Sequence, residues 1–540
     1  MAVSILWSQV ESVVRLKRLS IYLIAIFSLG LYACLALRYP LSPSLSDPRA
    51  SWATLVDPSI MNAAQHITLY FILTLLYLAA LYLFSPIHGK IALPHRHQIL
   101  FIVAIWLACS VALMFVSPSG ESHDIFDYLF RGRMMVEYQA NPLADVPDSF
   151  DISTPFSRYL AWRNNVDTYG PLWEGFSAAV AGGVHRVASW LGWWTESAPV
   201  CPKSPESCRL LILYITGYRL LAICLTGISG WLVASIIKRT NPTYVPMALA
   251  AWLWCPLTLI TTAVGAHNDA VMLVLVLLAW WLLQRQRPLW ALIAFILAAH
   301  VKLTALIWLP IYAVWVFWRY GWRRTLKIFL VGSASAVALS WLLYLPFGGW
   351  QTLPRMLQER SNFLANSPWQ ILNYLLTATW NWSSQNARRL TTLLPTFLFG
   401  VGALLLPAGY FYTLNRRRQR VELLPKEIDQ ILWRAMLAMS LLYILVGSFW
   451  LQHWYFLWVL APAVLLPQSR LSRFMLPWLS FGALSSNVIM DFVTNISSIN
   501  LAAPTKNILP VAIIWGPVFF MLGAYFMCGY FRKRSLSLQG

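Results

Sequence analysis

Residues 117–148 read SPSGESHDIFDYLFRGRMMVEYQANPLADVPD, and this stretch holds the side chains best suited to chemistry. Asp124 and Asp127 are three apart, so a helix starting near Ser122, a residue type favoured at the N-cap, sets both carboxylates on one face. Arg131 and Arg133 follow about two turns later. Carboxylates beside arginines suit proton abstraction next to an anion. An amphipathic surface helix paired by ordinary salt bridges would show the same pattern, and spacing alone leaves both readings open. Further along, His267, Asn268 and Asp269 are either part of a site or the cap of the helix that starts there. Lys302 either meets an anion or snorkels from a helix end. His453 is followed by Trp454, Tyr455 and Trp458, which could equally belong to an interfacial aromatic belt.

These residues must be positioned by membrane helices. Of 540 residues, 59% are hydrophobic and 11% charged, with mean hydropathy +0.60, where soluble domains are about 25% charged. Apolar stretches recur from residue 20 to residue 530. Only helices and closed barrels satisfy their backbone in hydrocarbon, and uninterrupted apolar runs are not the alternating pattern of a barrel. The reading is all-α, with about fourteen spans: 20–37, 66–86, 98–117, 210–236, 243–262, 268–285, 288–301, 303–318, 325–347, 390–412, 431–449, 453–467, 474–492 and 508–530. Segments 288–301 and 303–318 are too short to cross upright, reaching about 21–24 Å, and their junction holds His300 and Lys302. Broken helices of this kind are tolerated where they line a protein-walled cavity.

The net charge of +20 is dispersed in short clusters between apolar runs, which argues for topology and against nucleic acid. With a cytoplasmic amino terminus, the inside loops collect 23 of the 40 basic residues and four of the 20 acids. This places both termini in the cytoplasm and two larger loops outside, 118–209 and 348–389, on a single membrane domain spanning 1–540. The first loop holds eleven acids. Within it, 171–194 is read as an interfacial helix, since a crossing there would carry Lys238 and Arg239 outside. The first apolar run reads as a true span, not a cleaved signal. Cys201 and Cys208 share the outer loop and could pair there. No Cys/His spacing for zinc is present, so no cofactor is evident; a divalent metal stays possible, with one or two carboxylates a thin basis for it. No Walker or dinucleotide fingerprint is present either.

The outer-face motifs resemble those of the bacterial polyprenyl-phosphate-mannose-dependent mannosyltransferases of the GT-C superfamily. That family shows an acidic pair, Tyr-Leu-aromatic, an acid, Gly-Arg and Asn-Pro. Here the order is His123-Asp124, Tyr128-Leu129-Phe130, Arg131, Gly132-Arg133 and Asn141-Pro142. Tyr169-Gly170-Pro171-Leu172, Gly265-Ala266-His267-Asn268-Asp269-Ala270, Val301-Lys302-Leu303-Thr304 and His453-Trp454-Tyr455-Phe456-Leu457-Trp458 resemble four further elements, in order. His123 and Arg131 stand where the family carries acids, and Asp127 where it usually carries a base.

The resemblance implies a GT-C fold and an inverting transfer of a hexose, mannose by family, from a polyprenyl-phosphate donor to a glycan or glycolipid hydroxyl on the extracytoplasmic face of a bacterial plasma membrane. Asp124 would be the general base, supported by Asp127 and His123. Arg131, Arg133, Tyr169, His267, Asn268, Asp269, Lys302, His453 and Tyr455 would hold the donor's phosphate or sugar. The alternatives are a transporter or flippase of a lipid-linked sugar, or a catalytically inert relative that binds the lipid. A transporter would place its ionisable residues near the midplane on repeated, interrupted helices, whereas here they fall near one face and no repeat is visible.

Overall fold

The computed structural model describes residues 2–41, 45, 52–88, 93–150, 156–193, 209–361, 363–420, 424–493 and 502–537. Cys201 and Cys208 lie outside the described residues. The chain is an all-α polytopic membrane protein: among the described residues its elements are helices joined by turns and loops, and its extended pairings are two isolated bridges, Pro40 with Val116 and Ala365 with Trp450.

Among the described residues, seven helices are long and apolar enough to cross a bilayer, or eight if Pro242–Leu253 and Pro256–Ala263, bent by 49°, count as one broken span. Several of the fourteen apolar segments take other forms. Asp269–Gln284 has 16 residues and Pro288–Ala299 has 12, about 24 and 18 Å of helix. The segments 303–318 and 325–347 lie in one stretch, Leu303–Phe347. It breaks at Gly321, whose φ of 74° and ψ of 173° leave helical space in the middle of the basic cluster. Glycine is the residue that enters that region without a Cβ clash.

The long helices turn large apolar side chains outward: Leu330 is 62% exposed, Phe397 66%, Leu404 76% and Phe520 75%. Such a surface is stable against lipid and not against water. The short helices do the opposite. Every residue of Val245–Leu253 and Pro256–Ala263 is buried, and Trp280 meets Trp308 and Trp433 with ring centroids 5.6 Å apart in each case. The long helices form a jacket, and the broken ones form the wall behind the loops.

Arg219 joins jacket to loops. It is fully buried in the helix Arg209–Thr240. Its Nε donates to the Val264 carbonyl at 2.9 Å, and its Nη1 donates to the carbonyls of Met114 and Val116 at 2.7 Å each. Met114 and Val264 are the C-caps of two helices, where carbonyls lack intrahelical partners, and Val116 lies two residues past the first of them. One guanidinium therefore fixes where the chain leaves the third long helix, just before Glu121, and where it turns toward His267.

Candidate active site

The helix Asp124–Glu137 begins two residues after Ser122, whose Oγ accepts the Asp124 N–H at 3.1 Å. The helix packs closely on its neighbours because of Gly132: a Cβ there would run into the Tyr218 hydroxyl and lie 3.0 Å from the Ser177 carbonyl. Above the helix lies a cavity of about 340 Å³, walled by this helix, by residues 161–169, by Phe363, Ala365 and Asn366 of the second long loop, and by 448–455. The bridge closing its far side is made by Ala365, whose N–H donates to Phe449 and whose carbonyl accepts from Leu451.

Six of the residues singled out in the sequence line this cavity: His123, Asp124, Asp127, Arg131, Tyr169 and Tyr455. Asp124 Oδ2 accepts from the hydroxyls of Tyr128 at 3.3 Å and Tyr169 at 3.4 Å, with His267 Nδ1 at 3.8 Å. Asp127 turns the other way. Its carboxylate accepts the N–H groups of Ala161 and Trp162 at 3.3 and 3.2 Å and so anchors the facing loop. Burial pushes its carboxyl up to about 7, against the pull of Arg131. His123 packs on Trp52 with centroids 3.6 Å apart, and burial lowers its pKa.

Arg131 is held from three sides. Its Nη2 donates to the carbonyls of Trp162 and Asn165, and its Nε lies 3.5 Å from Asp167 Oδ2. Its Nη1 is buried with no hydrogen-bond partner among the described residues. Behind Asp167 sits fully buried Glu174, whose carboxyl is pushed well up, first by burial and then by the charge of Asp167. Asp167 and Glu174, like Tyr128, Trp162 and Glu121, belong to the site without having been singled out as site residues in the sequence.

The other six do not line the cavity. Arg133 is buried, makes a bidentate pair with Glu137 at 2.7 and 2.5 Å, and lies 3.6 Å over the Phe156 ring. Lys302 Nζ pairs with Asp269 Oδ2 at 2.7 Å behind the rings of Tyr169, Tyr455 and Trp458, all within 5.5 Å. Trp458 Nε1 donates to the other Asp269 oxygen at 2.6 Å. This buried pair is a buttress for the two cavity tyrosines. Asn268 precedes the helix Asp269–Gln284 but makes no side-chain cap, and its amide is buried without a partner among the described residues.

His267 and His453 meet at Glu121. Glu121 Oε1 lies 2.9 Å from His267 Nε2 and 2.6 Å from His453 Nε2. Burial works to raise the Glu121 carboxyl, but the charges and hydrogen bonds of His453 and His267 outweigh it and hold it near 2. Trp454 stacks on the His267 ring at 3.8 Å. Asn487 Nδ2 holds the Glu121 carbonyl at 2.7 Å. Ala266, just before His267, has a φ of 51°, a strained conformation for a residue with a Cβ that turns the histidine toward the glutamate.

Residues 19–319 match a family model described as Alpha-(1->6)-mannopyranosyltransferase, N-terminal domain, and residues 208–439 match Glycosyltransferase family 87. Among curated proteins, the Alpha-(1->6)-mannopyranosyltransferase A of Corynebacterium glutamicum is 25% identical over 228 residues, 39% of this chain. The match spans 37% of that relative's own length. With more than half of its length inside the first family model, the chain belongs to the alpha-(1->6)-mannopyranosyltransferase family.

Proposed function

We propose that the protein is an inverting glycosyltransferase that moves a mannosyl group from a polyprenyl-phosphate donor to an acceptor hydroxyl of a glycan or glycolipid, on the extracytoplasmic face of a bacterial plasma membrane. The observation that carries the reading is one cavity lined by both Asp124 and Arg131, whose buried Nη1 has no hydrogen-bond partner among the described residues. These supply a base and a cation, which is what a single displacement at a sugar phosphate needs. Family membership supports the sugar, and the distribution of basic residues supports the side of the membrane.

In this reading the donor's long chain stays in the bilayer, where each buried methylene contributes about 0.8 kcal/mol, and the head group alone enters the cavity. Asp124 Oδ2 takes the proton from the acceptor hydroxyl. The acceptor oxygen attacks the anomeric carbon from the face opposite the phosphate, and the bond from that carbon to the phosphate oxygen breaks. Polyprenyl phosphate leaves with the electron pair, and the guanidinium of Arg131 meets the charge that gathers on it. Tyr128 and Tyr169, both on Asp124 Oδ2, orient the base. Trp162, Phe363 and Trp450, in the cavity wall, offer ring faces to a sugar.

The test is release of polyprenyl phosphate by purified protein in lipid nanodiscs, given polyprenyl-phosphate mannose and an oligomannoside acceptor. Asp124→Asn is expected to lower turnover by about 10²–10⁴-fold, the range of general-base catalysis, while donor binding persists. Donor binding without turnover in the wild type, across a panel of acceptors, would turn the reading toward a lipid carrier.

A further inference from the structure

We propose that Glu121, His267 and His453 bind a divalent transition-metal ion of the zinc type. Their ligand atoms lie within 4.8 Å of one another, and the three residues are 1–3% exposed. Two imidazole nitrogens and one carboxylate oxygen are the donor set of three-ligand zinc sites and suit borderline cations better than magnesium or calcium, which take oxygen. The site is preorganised: Trp454 stacks on His267, Asn487 grips the Glu121 carbonyl, and a Cβ on Gly265 would fall 2.6 Å from Glu121 Oε1.

A second feature points to a cation. Both histidines converge on one carboxylate oxygen, and the other, Glu121 Oε2, is buried with no hydrogen-bond partner among the described residues. An ionised carboxylate can accept several hydrogen bonds, and leaving one of its oxygens bare away from water carries the full desolvation penalty of that atom. A cation seated among the three groups removes that penalty. On the far side of the His267 ring, Nδ1 faces the Tyr128 hydroxyl at 3.5 Å and Asp124 Oδ2 at 3.8 Å. A ligating imidazole backed by a carboxylate or other polar group is the recurring outer shell of metal sites.

The ion would tie together three segments that are far apart in sequence. Glu121 precedes the helix of Asp124, His267 precedes the helix Asp269–Gln284, and His453 opens the turn before Leu457–Val464. The separations from Glu121 are 146 and 332 residues. The inference stands apart from the identity of donor and acceptor, and its test measures metal, not turnover.

Full-length protein in detergent is analysed for bound metal by inductively coupled plasma mass spectrometry, then stripped with chelator and titrated with Co2+ while its visible absorption is followed. The expected result is one ion per chain and a saturable Co2+ ligand-field band in the wild type. Glu121→Gln and His453→Gln should lose both. His453→Cys, loaded with Co2+, should gain a sulfur-to-cobalt charge-transfer band, a new signal that a misfolded variant would not give. A wild type that carries no stoichiometric metal and shows no saturable band overturns the proposal. So do variants that keep the full complement of metal, since they put the ion elsewhere.

Discussion

At the scale of single residues, the cavity separates groups that look alike in sequence. Asp124 and Asp127 stand one helical turn apart, yet Asp124 accepts from two tyrosine hydroxyls while Asp127 accepts two backbone N–H groups. Arg131 and Arg133 divide in the same way: Arg131 lines the cavity, and Arg133, outside it, makes a bidentate pair with Glu137. Arg131→Gln removes a charged donor worth about 1.5–3 kcal/mol, so kcat/KM for the lipid-phosphate sugar should fall by about 10–150-fold. Arg133→Gln should instead lower the melting temperature, with kcat/KM changed far less. Steady-state kinetics beside thermal melts separate the two, and an unchanged kcat/KM in Arg131→Gln would place the donor's anion elsewhere. For Asp127, burial raises the folded-state carboxyl from 3.8 to about 7, so the folded chain binds a proton that the unfolded chain gives up. The stability from this site is complete below about pH 3.8 and is lost as pH rises through about 7. Between about pH 4 and about pH 7 the melting temperature of the wild type should therefore drop relative to Asp127→Asn. A gap that does not change with pH would mean that the carboxyl does not titrate there.

At the scale of elements, the site depends on turns that bring backbone against backbone. The Gly170 N–H donates to the Val301 carbonyl and the Leu172 N–H to the His300 carbonyl, both at 3.0 Å, which docks the start of the helix Pro171–Trp190 on the turn that carries Lys302. A Cβ on Gly170 would run into the His300 carbonyl, a backbone group that cannot rotate away. Gly170→Ala should therefore destabilise the fold by about 1–3 kcal/mol, the range for overpacking. It should also displace Tyr169 from Asp124, so that turnover falls more than donor binding does. Calorimetry with donor titration checks both, and a variant of wild-type stability would contradict this account of the turn. This is also the scale at which the sequence is only partly informative. The turn 300–302 is visible as a charged interruption between two short apolar runs, and Asp124, Tyr169 and Tyr455 are visible through motifs. Glu121 carries no such mark, because its partners lie 146 and 332 residues away and converge only when three turns pack together. Lys302 reads in the sequence as a cation that either meets an anion or snorkels, and only the packing of Asp269 and Trp458 around it gives it a buried role.

At the scale of the whole molecule, composition settles the class, and charge distribution argues for one orientation, but periodicity does not settle the number of crossings. Apolar runs that line the interior and apolar runs that face lipid have the same hydropathy, so hydropathy alone does not say whether Asp269–Gln284 and Pro288–Ala299, helices of 16 and 12 residues, cross the bilayer. The orientation can be tested without knowing which of the short helices cross. Ser149 lies in the exposed part of the first long loop, and Arg417 is exposed at the end of the helix Ser384–Arg420. If basic clusters are retained inside, Ser149→Cys in intact cells should react with a membrane-impermeant maleimide, and Arg417→Cys should react only after the membrane is opened. The native cysteines require a parallel wild-type control, of which Cys34 and Cys224 are exposed on the helical jacket. The reverse labelling pattern would put the cavity in the cytoplasm. It would remove the extracytoplasmic reading of the transfer while leaving the geometry of Asp124 and Arg131, and the family assignment, intact.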